Sequence, residues 1–301
     1  MAKANTTTTA SPCPPARRRT RKVRFSGPFV FTGPLPHRHH SSAPGCGQPR
    51  QTREAMHRKI EPLLCELHAH TMWSDGALSL RDLVDLYGRS GFDVLCVTDH
   101  VNRTDDPWWA PDVPARGIHA GNHAAYFAEL DAQAARAARE YGLLLLPGLE
   151  LTYNDLDPFL AAHALAIGCR AFIPVDDGIE AALGRARSEG AALVAAHPFR
   201  ARRGVHSSRA TMRFDREWRT LGQLVDRWEL FNRYDLFASV ARRGLPAVAN
   251  GDFHRPEHLP GWKTLLPCAK EERSVIDYLR SPRPAFLTRV DTVDTSLLRA
   301  A

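Results

Sequence analysis

The chain has 301 residues, 44% hydrophobic and 24% charged, with a formal net charge of +7, which suits one large α/β domain with a tail, or two ordinary domains. The charge is uneven, because residues 1–53 hold ten Lys or Arg and no Asp or Glu; the basic balance therefore describes the tail and does not imply a nucleic-acid-binding fold. Six cysteines without CxxC spacing argue against a disulfide framework, and no run approaches 18 apolar residues, so a soluble protein of a reducing compartment, the cytoplasm, is expected, with no membrane contact and no obligate protein partner.

Residues 1–58 are rich in Thr, Ser, Pro, Arg and His and lack helical or strand periodicity, so they form a disordered basic tail. An acid-free, Arg- and Ser-containing start also fits an organellar transit peptide, and Met56 could equally be the true initiator. After the RRRTRK cluster, VRFSGPFVFTGPLP is interrupted by Gly and Pro and makes a poor signal core. One domain is expected over 59–295.

From Glu61 short apolar runs at 62–67, 94–98, 143–147, 163–167, 193–196, 228–231 and 246–250 read as parallel strands buried on both faces. Helical segments alternate with most of them. Ser79 can cap LRDLVDLYGRS, whose Leu80, Leu83, Val84 and Tyr87 form one face before Gly91. Further helices span 122–141, 176–189, 235–243 and 271–280, stopped by Gly142, Gly190, Gly244 and Pro282. Such alternation predicts a distorted, TIM-like (β/α)7 barrel. Two irregular stretches interrupt it, 101–120 with Trp108 and Trp109, and 200–219 with seven arginines; inserts at the ligand-bearing end commonly shape substrate pockets.

Metal-ligand-type residues cluster at the C-terminal ends of these runs. His68 and His70 lie two apart in CELHAH, so both can leave one face of a strand and chelate one ion. Asp75 follows in SDG, where a turn former is the competing reading. In VTDH, His100 is the natural ligand, while Asp99 either orients it or caps the next element. Glu150 ends LLLLPGLE, where a carboxylate after such a run is costly to bury without a cation. His163 and His197 could each be satisfied core histidines if seen alone. Asp252 and His254 repeat the two-apart geometry of His68 and His70. A metal needs several N and O donors within about 2.0–2.3 Å, and donors at successive strand ends can meet on one face of a barrel.

Taken together, HAHTMWSDG, VTDH, GLE, the HALAIG histidine, AHP and NGDFH closely resemble the PHP family, the polymerase and histidinol phosphatase metal-dependent phosphoesterases, over residues 61–290. The resemblance implies a distorted seven-stranded (β/α) barrel with two or three divalent ions, Mn, Fe or Zn with Mg as a further option, at the strand C-termini. Motif by motif it implies His68, His70, Asp75, His100, Glu150, His163, His197, Asp252 and His254 as ligands, with Glu150 bridging, and Glu150, His197 and Asp252 as the catalytic set. The oxygen donor at Asp75 favours Mn, Fe or Mg over zinc at that ion. The HAHTxxSDG form looks most like the stand-alone branch of nucleotide phosphatases and a 5′–3′ exoribonuclease.

Ions bridged by Glu150 would lower the pKa of a shared water, so that hydroxide is available near neutral pH to attack a phosphate monoester. Arg200, Arg202 or Arg203, Arg233 and Arg255 are candidate phosphate donors, Arg200 and Arg255 foremost, with solvated surface charge as the competing reading. Trp108 and Trp109 could stack on a base, although packing of the insert suits them better. Three functions are open: hydrolysis of a small phosphorylated metabolite or nucleotide, trimming of RNA or DNA ends along a basic track, and a metal-stabilised binding module without turnover. The first is favoured, because a pure scaffold has no reason to keep so many converging donors.

Overall fold

The computed structural model describes residues 25–30, 61–108, 116–199 and 210–291. Its strands are β1 (Phe25–Val30), β2 (Leu63–Glu66), β3 (Val94–Cys96), β4 (His100–Asn102), β5 (Leu144–Leu146), β6 (Gly148–Tyr153), β7 (Ala162–Ile167), β8 (Ala192–Ala196), β9 (Arg227–Asn232), β10 (Asp235–Leu236), β11 (Ala247–Asn250), β12 (Gly261–Leu266) and β13 (Phe286–Val290). The helices are α1 (Leu80–Arg89), α2 (His123–Tyr141), α3 (Ile179–Ser188), α4 (Arg213–Arg216), α5 (Ala238–Arg242) and α6 (Glu272–Arg280).

All seven expected strands form, as β2, β3, β5, β7, β8, β9 and β11. Strands β2, β3, β7 and β8 are buried along their whole length, which follows from Val-, Leu- and Ala-rich runs with apolar neighbours on both sides. The expected helices form too, with Ser79 capping α1 by accepting the Asp82 amide. Gly142 ends α2 at φ 62°, a left-handed conformation that glycine enters without penalty. The helix expected over 235–243 is shorter, because Asp235–Leu236 turns back to pair with β9.

The fold is mixed α/β, and no closed barrel ladder forms among the described residues. One sheet runs β1-β13-β12-β2-β3-β5, the other β10-β9-β8-β7-β6-β4 with β11 beside β9. Two interruptions divide them: residues 97–99 part β3 from β4, and Pro147, which has no N–H to continue a ladder, parts β5 from β6. Strand β7, expected to be parallel, instead runs antiparallel to both β6 and β8. The link from β6 to β7 is a loop without a crossover helix, which suits antiparallel pairing. Strands β12 and β13 add an antiparallel flank to β2. Strand β1, in the segment expected to lack periodicity, pairs antiparallel with β13; the rest of the 1–58 tail lies outside the described residues.

Alternate residues of β2, β3 and β8 enter two apolar clusters. Leu64, Leu193 and Ala195 pack outward with α1 to α3, while Leu63, Cys65, Val194 and Val248 meet between the sheets. Helix α6 contributes Val275, Ile276 and Leu279 to the inner cluster. Arg227, wholly buried, donates to the carbonyls of Tyr278, Leu279, Ser281 and Arg283 at the end of α6, satisfying acceptors that the helix leaves open. No helix among the described residues is long and apolar enough to cross a membrane.

Candidate metal centre

Seven of the nine expected donors lie at strand ends or within four residues of them, Asp75 sits in the 72–75 turn, and β6 carries Glu150 in mid-strand. The structure brings all nine together. Three groups have donor atoms within 4.8 Å of one another: His70, Asp75, His100 and His254; His68, His70 and Glu150; and Glu150, His163 and His197. Glu150 joins two groups and His70 joins two. Glu150 Oε1 lies 3.1 Å from His197 Nε2, 3.3 Å from His163 Nδ1 and 3.4 Å from His68 Nε2. Its Oε2 is 2.9 Å from His100 Nδ1 and 3.4 Å from His70 Nε2. Asp252 Oδ1 stands 3.5 Å from Nε2 of both His68 and His70, and Asp75 Oδ1 stands 3.2 Å from His254 Nε2.

These atoms fit a cation better than they fit one another. His68 Nε2, His70 Nε2, Glu150 Oε2 and His163 Nδ1 are buried without a hydrogen-bond partner, and each such group costs about 1–3 kcal/mol if nothing satisfies it. Burial and the nearby His254 and His100 push His70 down to about 3, so near neutrality its imidazole is uncharged, the form that coordinates metal. Burial alone would lower His68, but Glu150, Asp252 and Glu229 overrule it and hold His68 well above its usual value. Burial would likewise raise Glu150, yet His68, His100 and His163 hold it well below the carboxylate range. Buried carboxylates here demand positive charge, and mixed N and O donors suit a divalent cation.

Strain marks the same place. His197, Arg233 and Asp252 are the described non-glycine residues with positive φ, at 27°, 56° and 44°, and such conformations persist only where surrounding structure imposes them. Asp252 is fixed by Arg233 Nη2 at 3.1 Å from Oδ2. Asp99 does not orient the His100 ring. It accepts from the amide and hydroxyl of Thr71 and the hydroxyl of Ser74 at 2.8, 2.7 and 2.5 Å, pinning the loop that carries His70 and Asp75; His100 Nδ1 instead meets Thr152 Oγ1 at 2.7 Å.

Glu229 escaped the sequence reading. Wholly buried in β9, it accepts from His68 Nδ1 at 2.8 Å, the His197 amide at 2.7 Å, Asn250 Nδ2 at 3.0 Å and Asn232 Nδ2 at 3.1 Å. It therefore directs Nε2 of His68 toward the cluster. The available signal was an acid inside the apolar run WELF.

All of the donors except His68 and His70 line an open cavity of about 440 Å³, together with Trp108, Asn154, Thr211, Arg233, Arg255 and His258. Arg255 is exposed there, with Glu257 at 3.9 Å. Arg200, Arg202, Arg203 and Trp109 lie outside the described residues. Trp108 donates Nε1 to the Asp155 carbonyl at 2.8 Å and stands 5.9 Å from the His163 ring. His258 accepts from the His254 amide at 3.2 Å and lies 3.2 Å from Arg233 Nη1.

Residues 66–238, more than half of the chain, match the PHP domain family model. Among solved structures the chain is similar to a two-domain protein from Bacteroides vulgatus containing a predicted PHP-like metal-dependent phosphoesterase, with 17% identity, TM-score 0.52, and 85% of this chain and 73% of that one covered. It also aligns with a metal-dependent phosphoesterase candidate from Bifidobacterium adolescentis (18% identity, TM-score 0.42, 63% and 87% covered). A third alignment is with an amidohydrolase from Chromobacterium violaceum with bound sulfate (18%, 0.44, 64% and 88%). No curated protein sequence matches.

Proposed function

The chain belongs to the PHP family, and from that premise we propose that it is a metal-dependent phosphoesterase hydrolysing the phosphate monoester of a small metabolite or nucleotide. The observation that carries the reading is the joining of three donor groups through Glu150 and His70 at the floor of an open cavity. Glu150, His163 and His197 would hold one divalent ion, His68, His70, Glu150 and Asp252 a second, and His70, Asp75, His100 and His254 a third. Ions bound there supply Lewis-acid activation of water and of the phosphoryl oxygens.

The protein's own groups do the rest. Glu229 and Thr152 fix the rings of His68 and His100. Arg233, half-exposed in the cavity and tethered to Asp252, presents its guanidinium where a phosphoryl oxygen can be bound, with Arg255 farther out. Trp108 bounds the space left for the alcohol portion of the substrate. A cavity of about 440 Å³ falls within the roughly 300–1,000 Å³ range of small-molecule sites, which supports a metabolite over a polymer.

The test is turnover by the purified full chain with Mn, Fe, Zn and Mg, each against phosphomonoesters, including 3′,5′-bisphosphonucleotides, and short 5′-phosphorylated RNA. Phosphate release from small esters alone is expected. Mononucleotide release from RNA would replace the reading with an exonuclease. Silence from metal-loaded protein would point to a binding module.

A further inference from the structure

The chelating pairs His68/His70 and Asp252/His254 follow strands β2 and β11, which belong to different sheets. Backbone pairing between the two segments consists, among the described residues, of one bridge, Ala69 to Phe253, made by the His70 amide to the Phe253 carbonyl at 2.8 Å and the Phe253 amide to the His68 carbonyl at 3.1 Å. A single bridge is a weak constraint for a site whose donors must converge to tenths of an ångström.

One buried carboxylate sits across this seam. Glu66 ends β2 and is wholly buried. Its Oε1 accepts the amide of His68 at 3.2 Å and that of Gly251, the neighbour of Asp252, at 2.8 Å. Its Oε2 takes Lys263 Nζ, wholly buried on β12, at 2.7 Å and the Tyr87 hydroxyl of α1 at 3.2 Å. Space is closed around the contact: a Cβ on Gly251 would run into Glu66 Oε2 and come within 2.6 Å of Lys263 Nζ.

Stability alone is a poor reason for such an arrangement, since a buried ion pair can often be replaced by apolar residues at no cost. An apolar pair could not accept the amides of His68 and Gly251. We propose that Glu66, neutralised by Lys263, is a positioning residue that clasps the ends of β2 and β11 so that His68 and Asp252 converge on one ion. This rests on the metal-centre reading above. The clasp acts through backbone amides and touches no donor side chain, so its loss weakens metal binding with every donor side chain still present.

The test uses the full-length protein and Mn alone as the probe, with affinity and stoichiometry from calorimetry and the unfolding midpoint measured in chelator. Glu66→Leu/Lys263→Met removes the clasp and both charges. It is expected to stay folded with a lowered metal-free midpoint, because the buried His68 and Gly251 amides lose their acceptor, and to bind Mn about 10–100-fold more weakly, the usual range for outer-shell losses, whereas Glu66→Gln/Lys263→Met keeps an accepting carbonyl and should stay within about threefold of the parent. Gly251→Ala wedges the clasp open and should resemble the Leu/Met variant. Equal Mn affinity in parent and Leu/Met variant overturns the proposal, as does equal loss in the Gln/Met variant. If the Leu/Met variant does not fold, parent-like affinity in folded Gly251→Ala overturns it instead. A parent chain that binds no Mn removes the metal-centre reading and this inference with it, an outcome distinct from intact binding in every variant.

Discussion

Glu150→Gln is the sharpest perturbation of the proposed chemistry. The carboxylate stands 2.9–3.4 Å from nitrogens of five histidines and its exposure is nil. Glutamine keeps the volume, removes one negative charge, and directs an N–H pair either at His68, His163 and His197 or at His70 and His100. Both orientations place a donor where a cation would otherwise sit. Metal activation contributes several kcal/mol to the transition state, so a loss of roughly 4 kcal/mol, at about 1.4 kcal/mol per factor of ten, lowers turnover on the order of 10³-fold. Phosphate release would be measured beside metal content per chain, with circular dichroism to show that the fold is retained. Turnover within about tenfold of the parent at the parent's metal content would refute the bridging role of Glu150.

Divalent metal should stabilise the fold: free Mn at about 100 times its dissociation constant contributes about 2.7 kcal/mol, so the unfolding midpoint should rise with Mn and fall back with chelator, and a midpoint indifferent to Mn would count against the site. Glu229→Gln leaves an amide to face four donors, and metal affinity measured by calorimetry should fall about 10–100-fold; unchanged affinity would remove Glu229 from the support of His68. Ser79→Ala removes the α1 cap and should cost about 1 kcal/mol in denaturant unfolding with turnover unaffected. Leu183→Ala, wholly buried on α3, should cost about 2–5 kcal/mol, and a loss under half a kcal/mol would show that the site collapses around the gap.

Local chemistry was legible in the chain itself. Apolar runs and 3.6-residue periodicity located seven strands and most helices, because the faces they bury depend on neighbours only a few residues away. The nine donors were legible only as a set resembling the PHP motifs, since Asp75 by itself reads as a turn former and His163 and His197 as core histidines. Tertiary structure alone decided how the donors divide into three groups sharing Glu150 and His70, and it split the expected barrel at Pro147 and at residues 97–99. It also supplied roles for acids that looked like blemishes in apolar strands: Glu229 meets His68 across 161 positions, and Lys263 meets Glu66 across 197. A buried charge announces its need for a partner in the sequence, but which remote residue answers that need is settled only when the strands pack.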